Sequence, residues 1–153
     1  NDGFISVTAN AYDLPVGDIV IPTDFSSIQL ALDIIPSNIE KIILVEPGEY
    51  FENLMLSGIN NVTIRSQSGP EATIINGGGN GLVIDSNPFS SAGNITIEGF
   101  TLTGGTAGAI DLERGMHAGP TLRNLIIRGN NGESSSNHGP IVRVTPKNTI
   151  KEL

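Results

Sequence analysis

Four charged residues near the ends of short apolar stretches could act together in chemistry: Asp85, Asp111, Glu113 and Arg143. If these stretches are stacked strands, the three carboxylates lie within neighbouring strand spacing and can bind Ca²⁺, which prefers hard oxygen ligands. The arginine would then serve as a catalytic base or as a clamp for an anionic substrate. Two of the carboxylates could instead form the acid/base pair of a glycosidase. A solvated acidic surface balanced by one arginine is the third interpretation.

The loops that follow these stretches add further candidates. Arg114 and His117 begin the loop after Glu113, and His138 lies in a loop rich in Gly, Ser and Asn. Loops on a rigid scaffold often carry function. We therefore predict Arg114 as a second catalytic candidate beside Arg143, and Glu113, His117 and His138 as substrate contacts. Plain surface histidines are the alternative, since a histidine-based metal site would need further ligands that the sequence does not place.

The composition limits the kinds of partner. Sixteen Asp and Glu against eight Lys and Arg give a net charge of −8, and there is no cysteine. Nucleic acid and anionic membranes require a concentrated basic surface, so neither is an expected partner. No apolar run approaches the length of a membrane span. A chain that opens on Asn1 without a signal-peptide pattern is typical of a processed protein, which predicts a secreted or cell-surface location.

A repeated phrase predicts the architecture that positions the charged residues. Asn61-Val-Thr-Ile-Arg-Ser returns as Asn94-Ile-Thr-Ile-Glu-Gly and again as Asn124-Leu-Ile-Ile-Arg-Gly. A nearly fixed period of this length is typical of a solenoid. We predict one domain over 19–153, after an extended leader at 1–18. Its strands fall into three series: 42–46, 73–75 and 100–103; then 54–57, 82–85, 110–113 and 142–145; then 62–65, 95–98 and 125–128.

Alternation within strands predicts which side chains face outwards. In the second series Asp85, Asp111, Glu113 and Arg143 share one outer face, together with Val83. In the third series Arg65, Glu98 and Arg128 form a column of alternating charge, worth about 0.2–1 kcal/mol per exposed pair. Asn61, Asn94 and Asn124 would form a ladder of stacked amides at the turn before each strand. The first two also match the glycosylation sequon, which is the alternative reading of those positions.

One helix is predicted near the start of the domain. Ser26-Ser-Ile-Gln29 fits a capping box and precedes an apolar set. Pro36 cannot continue a helix. We therefore expect an amphipathic helix over about 26–36 that covers one end of the coil.

Three phrases carry a resemblance to a known superfamily: 25–33 around the helix, Ile42-Ile-Leu-Val-Glu-Pro-Gly-Glu-Tyr50, and the repeat that begins at Asn94. Over about residues 19–145 the chain resembles the right-handed parallel β-helices of the pectin lyase-like superfamily. The resemblance implies an all-β fold of three parallel sheets with an N-terminal capping helix. The sequence itself has room for about four coils, where enzymes of this kind usually have more. It also implies a polysaccharide groove along one sheet. The paired aspartates of pectin methylesterases and the arginine signature of pectate lyases are absent from this sequence.

The resemblance leaves two functions open. The first is an extracellular carbohydrate-active or carbohydrate-binding protein, such as a calcium-dependent polysaccharide lyase that cleaves by β-elimination. The second is a non-catalytic structural or adhesive surface module, or a fragment of a longer β-helix. No capping element follows the last predicted strand, so we expect further coils or another subunit to cover that end.

Overall fold

The computed structural model describes residues 14–85, 93–112, 120–131 and 142–144. Within these residues the chain forms thirteen short strands and one helix, α1 (Ile28–Ile34). The strands are β1 (Ile19–Ile21), β2 (Lys41–Val45), β3 (Gly48–Phe51), β4 (Leu54–Met55), β5 (Asn60–Ser66), β6 (Thr73–Asn76), β7 (Leu82–Asp85), β8 (Gly93–Glu98), β9 (Thr101–Thr103), β10 (Gly108–Leu112), β11 (Thr121–Arg123), β12 (Ile126–Ile127) and β13 (Val142–Val144).

The strands stack into three sheets in which all the strand pairings are parallel. Sheet A has the order β1-β2-β5-β8-β11, sheet B has β3-β6-β9-β12, and sheet C has β4-β7-β10-β13. The chain passes from sheet A to sheet B to sheet C and back, which makes a parallel β-solenoid of about four turns. The predicted all-β, three-sheet architecture is therefore confirmed.

The core consists of columns of aliphatic side chains that point inwards from successive turns. In sheet A, Ile43 pairs with Ile64, Ile64 with Ile97, and Ile97 with Leu122, and all four are fully buried. Burying each such side chain contributes roughly 1.5–3 kcal/mol. Most of the buried side chains are Ile, Leu and Val, and Phe25 and Phe100 are the buried aromatic residues among the described ones.

Two of the three predicted strand series pair differently in the structure. Residues 41–45 pair with β5 in sheet A, whereas 42–46 was predicted to stack with 73–75. The third copy of the repeat is also displaced, because β11 pairs with β8 while Ile126 pairs with Thr101 in sheet B. The outer charged column of sheet A is therefore Arg65–Glu98–Arg123, without Arg128. Arg65 Nε lies 3.1 Å from Glu98 Oε2.

The displaced copy differs from the other two in the turn that its Asn124 occupies. Its backbone has a φ of 48°, and it occupies the turn from sheet A to sheet B, where the preceding coil has Gly99 with a φ of 83°. A short polar residue is one of the few that tolerate this left-handed conformation. The Asn ladder is confirmed for the other two copies, since Asn94 Nδ2 donates to Asn61 Oδ1 at 3.1 Å.

The helix is shorter than the predicted 26–36, because it begins at Ile28 and ends at Ile34. Its N-cap is Ser27, whose Oγ accepts a hydrogen bond from Leu30 N at 3.1 Å. Gln29 does not complete a capping box; its Oε1 accepts from Met55 N, which ties the helix to sheet C. The helix ends before Pro36, since Ile35 is already extended.

The segment just before β1 belongs to the predicted leader. Residues 14–18 form neither helix nor strand. Lys41 Nζ donates to the carbonyls of Pro15 and Gly17, and Leu14 packs against the core. This part of the leader is therefore attached to sheet A, while 1–13 lie outside the described residues.

Candidate functional site

The charged residues of sheet C form one row across neighbouring strands. Asp85 of β7 pairs with Asp111 of β10, and Asp111 pairs with Arg143 of β13. Met55 precedes Asp85 in the same row. Neighbouring strands are about 4.7–4.9 Å apart, so the two aspartates are direct neighbours. We call Asp85, Asp111 and Arg143 the acidic row.

The observed pairing of β7 with β10 is shifted by two residues from the predicted pairing. The sequence placed Asp111 beside Val83 and Glu113 beside Asp85, whereas Asp111 itself is the neighbour of Asp85. Val83, which was predicted to face outwards, is fully buried. The turn at Gly105 lies over it, since a Cβ at that glycine would stand 3.1 Å from Val83 Cγ2.

The two carboxylates have different surroundings. Asp85 is half-buried, whereas Asp111 is only 7% exposed and its Oδ1 is buried. Like charges on adjacent strands repel each other, and burial makes the charged form of Asp111 costlier still. A positive charge beside the row would offset both effects. Arg143 occupies the next strand position, which brings a guanidinium-bearing residue to the buried end of the row.

The described residues include only part of the predicted site. Glu113, Arg114, His117 and His138 lie outside the described residues, so their roles as catalytic, substrate-binding or metal-binding residues stay predictions. For Arg143 the structure fixes the strand position alone.

The predicted calcium site is incomplete within the described ranges. They contain no group of three or more His, Cys, Asp or Glu that could hold a metal ion. Ca²⁺ takes about six to eight oxygen ligands, and the acidic row provides two carboxylates. The row fits part of a calcium site, and Glu113 would have to supply more of it.

A second row of polar and aromatic residues, on the outer face of sheet B, was missed by the sequence analysis. Phe51 pairs with Asn76, and Asn76 pairs with Thr103. Arg128 N donates to Leu102 O at 3.1 Å, which continues the parallel register and places Arg128 next to Thr103. We call Phe51, Asn76, Thr103 and Arg128 the sheet B row.

The signal for this row was available in the sequence Gly48-Glu-Tyr-Phe51, where Tyr50 and Phe51 must point to opposite faces of a strand. Tyr50 packs against the core and donates from its hydroxyl to Glu46 O at 2.8 Å. Phe51 is 69% exposed. Pro47-Gly48, directly before this stretch, is typical of a turn and hides the start of the strand.

Among the described residues no helix is long and apolar enough to span a membrane. No protein-family model matches this chain, and no curated protein is significantly similar to it. The interpretation of the two rows therefore depends on the fold and on the residues themselves.

Proposed function

We propose that this protein is an extracellular polysaccharide-binding β-helix of the pectin lyase-like type, which holds a uronate-containing polymer on sheet C. The observation that carries the proposal is the adjacency of Asp85 and Asp111 in register. Two neighbouring carboxylates favour a bound cation, because a cation relieves their mutual repulsion. Glu113, two residues after Asp111 in the sequence, is the proposed third ligand.

The net charge explains why a cation is part of the proposal. A protein of charge −8 repels an acidic polysaccharide unless positive charge lies at the contact. A calcium ion, when bound, would supply that charge. Arg143 is the residue proposed to pair with a uronate carboxylate, since guanidinium and carboxylate groups form bidentate hydrogen bonds.

Calorimetric titration tests the metal site. Calcium is titrated into the wild type, Asp85→Asn and Glu71→Gln. Glu71 is an exposed residue in the turn before β6, so this control loses the same charge far from the acidic row. We expect Asp85→Asn to weaken calcium binding by at least about tenfold, a loss seen even for outer-shell partners of metal ligands. Equal binding by all three proteins would remove calcium from the proposal.

Incubation with polygalacturonate and alginate tests the ligand. Retention of either polymer in calcium, without release of unsaturated uronate by ultraviolet absorbance, identifies a binding module. Release of unsaturated uronate identifies a lyase. If neither polymer is retained or cleaved, the polysaccharide proposal fails and a structural or adhesive module replaces it.

A further inference from the structure

The sheet B row combines an exposed ring with polar groups that do not depend on calcium. Scattered exposed apolar residues are normal on protein surfaces, but the 69% exposed ring of Phe51 leaves an aromatic face open to a ligand. Phe51 has Glu49 two residues before it on the same face of β3 and Asn76 beside it in the next coil.

The polar neighbours of the ring are held in place. Asn76 Nδ2 donates to Glu49 Oε1 at 2.7 Å, and Gly78 N donates to Asn76 Oδ1 at 2.9 Å. These bonds fix the amide and the carboxylate beside the ring without burying them. Oxygens of both groups keep acceptor capacity, since each carries lone pairs beyond those already used.

The other end of the row carries a positive charge. Arg128 is exposed, and its side chain makes no ion pair or hydrogen bond with another residue in the described part of the chain. The Arg65–Glu98 ion pair lies on sheet A. Three strand spacings separate Phe51 from Arg128, which is about 14 Å and comparable with a short oligosaccharide.

We infer that the sheet B row is a calcium-independent binding surface for an oligosaccharide that carries a carboxylate. A pyranose ring has an apolar C–H face, which can lie flat on Phe51, and hydroxyl edges, which can bond to Glu49, Asn76 and Thr103. Arg128 pairs with the carboxylate of a sugar further along the chain. That the ligand is a uronate rests on the proposed function. The location of the surface on sheet B and its independence of calcium do not.

The charges give the ligand a direction on this surface. A carboxylate near Phe51 would meet Glu49, whereas a carboxylate near Arg128 meets a guanidinium. The sugar on the ring is therefore expected to present hydroxyls, and the anionic sugar to lie at the Arg128 end.

The test is titration of a galacturonate trisaccharide into the protein in the presence of a calcium chelator. Phe51→Ala should weaken binding by about tenfold, the ratio that corresponds to losing one aromatic contact of ordinary strength. Arg128→Gln should weaken binding similarly and remove the preference for this probe over a neutral galactose trisaccharide. Met55→Ala removes another exposed apolar side chain, and Arg65→Gln removes the guanidinium of sheet A; both should bind as the wild type does.

The chelator separates this inference from the proposed function. Asp85→Asn should bind the trisaccharide normally under these conditions. The inference is overturned if trisaccharide binding needs calcium, is lost in Asp85→Asn and is normal in Phe51→Ala and Arg128→Gln. That result would still support the calcium site proposed at the acidic row. No binding in chelator, or a dimer that Phe51→Ala converts to monomer without any sugar binding, also overturns it.

Discussion

Replacing Glu52 is the sharpest test of how the helix is held on the solenoid. Glu52 follows β3, and its two carboxylate oxygens accept hydrogen bonds from Ile28 N and Gln29 N, each at 2.9 Å. These N–H groups belong to the first turn of α1, which has no partners for them within the helix. The carboxylate thus caps the helix from a different part of the chain.

The expected loss follows from the two bonds. A hydrogen bond to a charged group contributes about 1.5–3 kcal/mol. Because the helix end is only partly buried, we take the lower value for each bond, so Glu52→Ala should lower the free energy of unfolding by about 3 kcal/mol. Glu52→Gln keeps one acceptor oxygen and should lose about half as much. Ser27→Ala removes the N-cap hydroxyl and should cost about 1 kcal/mol.

Urea unfolding followed by circular dichroism measures these differences. For a chain of this size, a loss of 3 kcal/mol corresponds to a fall in Tm of about 6–12 °C. Glu71→Gln is the charge-matched control and should stay within about 0.5 kcal/mol of the wild type. A Glu52→Ala variant as stable as Glu71→Gln would show that the carboxylate does not hold the helix.

Two further predictions concern Tyr50 and Asn94. Burial, followed by the charges of Glu46 and Glu52, raises the pKa of Tyr50 above 10.0. The protonated phenol therefore contributes stability that is complete below the unfolded pKa and is lost as pH rises through the folded one. Urea unfolding at neutral and alkaline pH should show a smaller alkaline loss for Tyr50→Phe than for the wild type, and an equal loss would contradict this. Asn94 has a φ of 53°, so Asn94→Ala should be less stable than Asn94→Gly by about 1–2 kcal/mol; equal unfolding free energies would show that the left-handed conformation costs nothing there.

Repetition and alternation in the sequence were enough to predict the architecture. Inward positions such as Ile64 and Ile97 are apolar and recur in successive coils, so their burial could be assigned without coordinates. The prediction of strand pairing failed for the third copy of the repeat, because the same Asn-containing phrase occurs at two different turns of the coil. Asn61 and Asn94 stack on one another, whereas Asn124 takes the position of Gly99. All three need a left-handed backbone, so the phrase encodes a turn conformation rather than a place in a sheet.

The contacts of Glu52 could not be predicted for a related reason. Its partners Ile28 and Gln29 lie more than twenty residues earlier, and nothing in the local sequence marks the pair. Loop lengths decide which side chain arrives beneath the helix. A capping box was expected from Ser26 and Gln29, but tertiary contacts replaced that local interaction.

Alternation predicts the face on which the residues of the acidic row lie, but it does not predict their neighbours within the row. Side chains alternate with a period of two, so a shift of two residues keeps every side chain on its face and changes only its neighbours. Alternation therefore placed Asp85 and Asp111 on the same face of the sheet, but it could not decide whether Asp111 or Glu113 stands beside Asp85. That choice depends on the turns between the strands, and the observed register pairs Asp111 with Asp85. The turns thus determine which residues are neighbours within a row, whereas alternation determines the face on which they lie. Two carboxylates can share one cation only if they are neighbours.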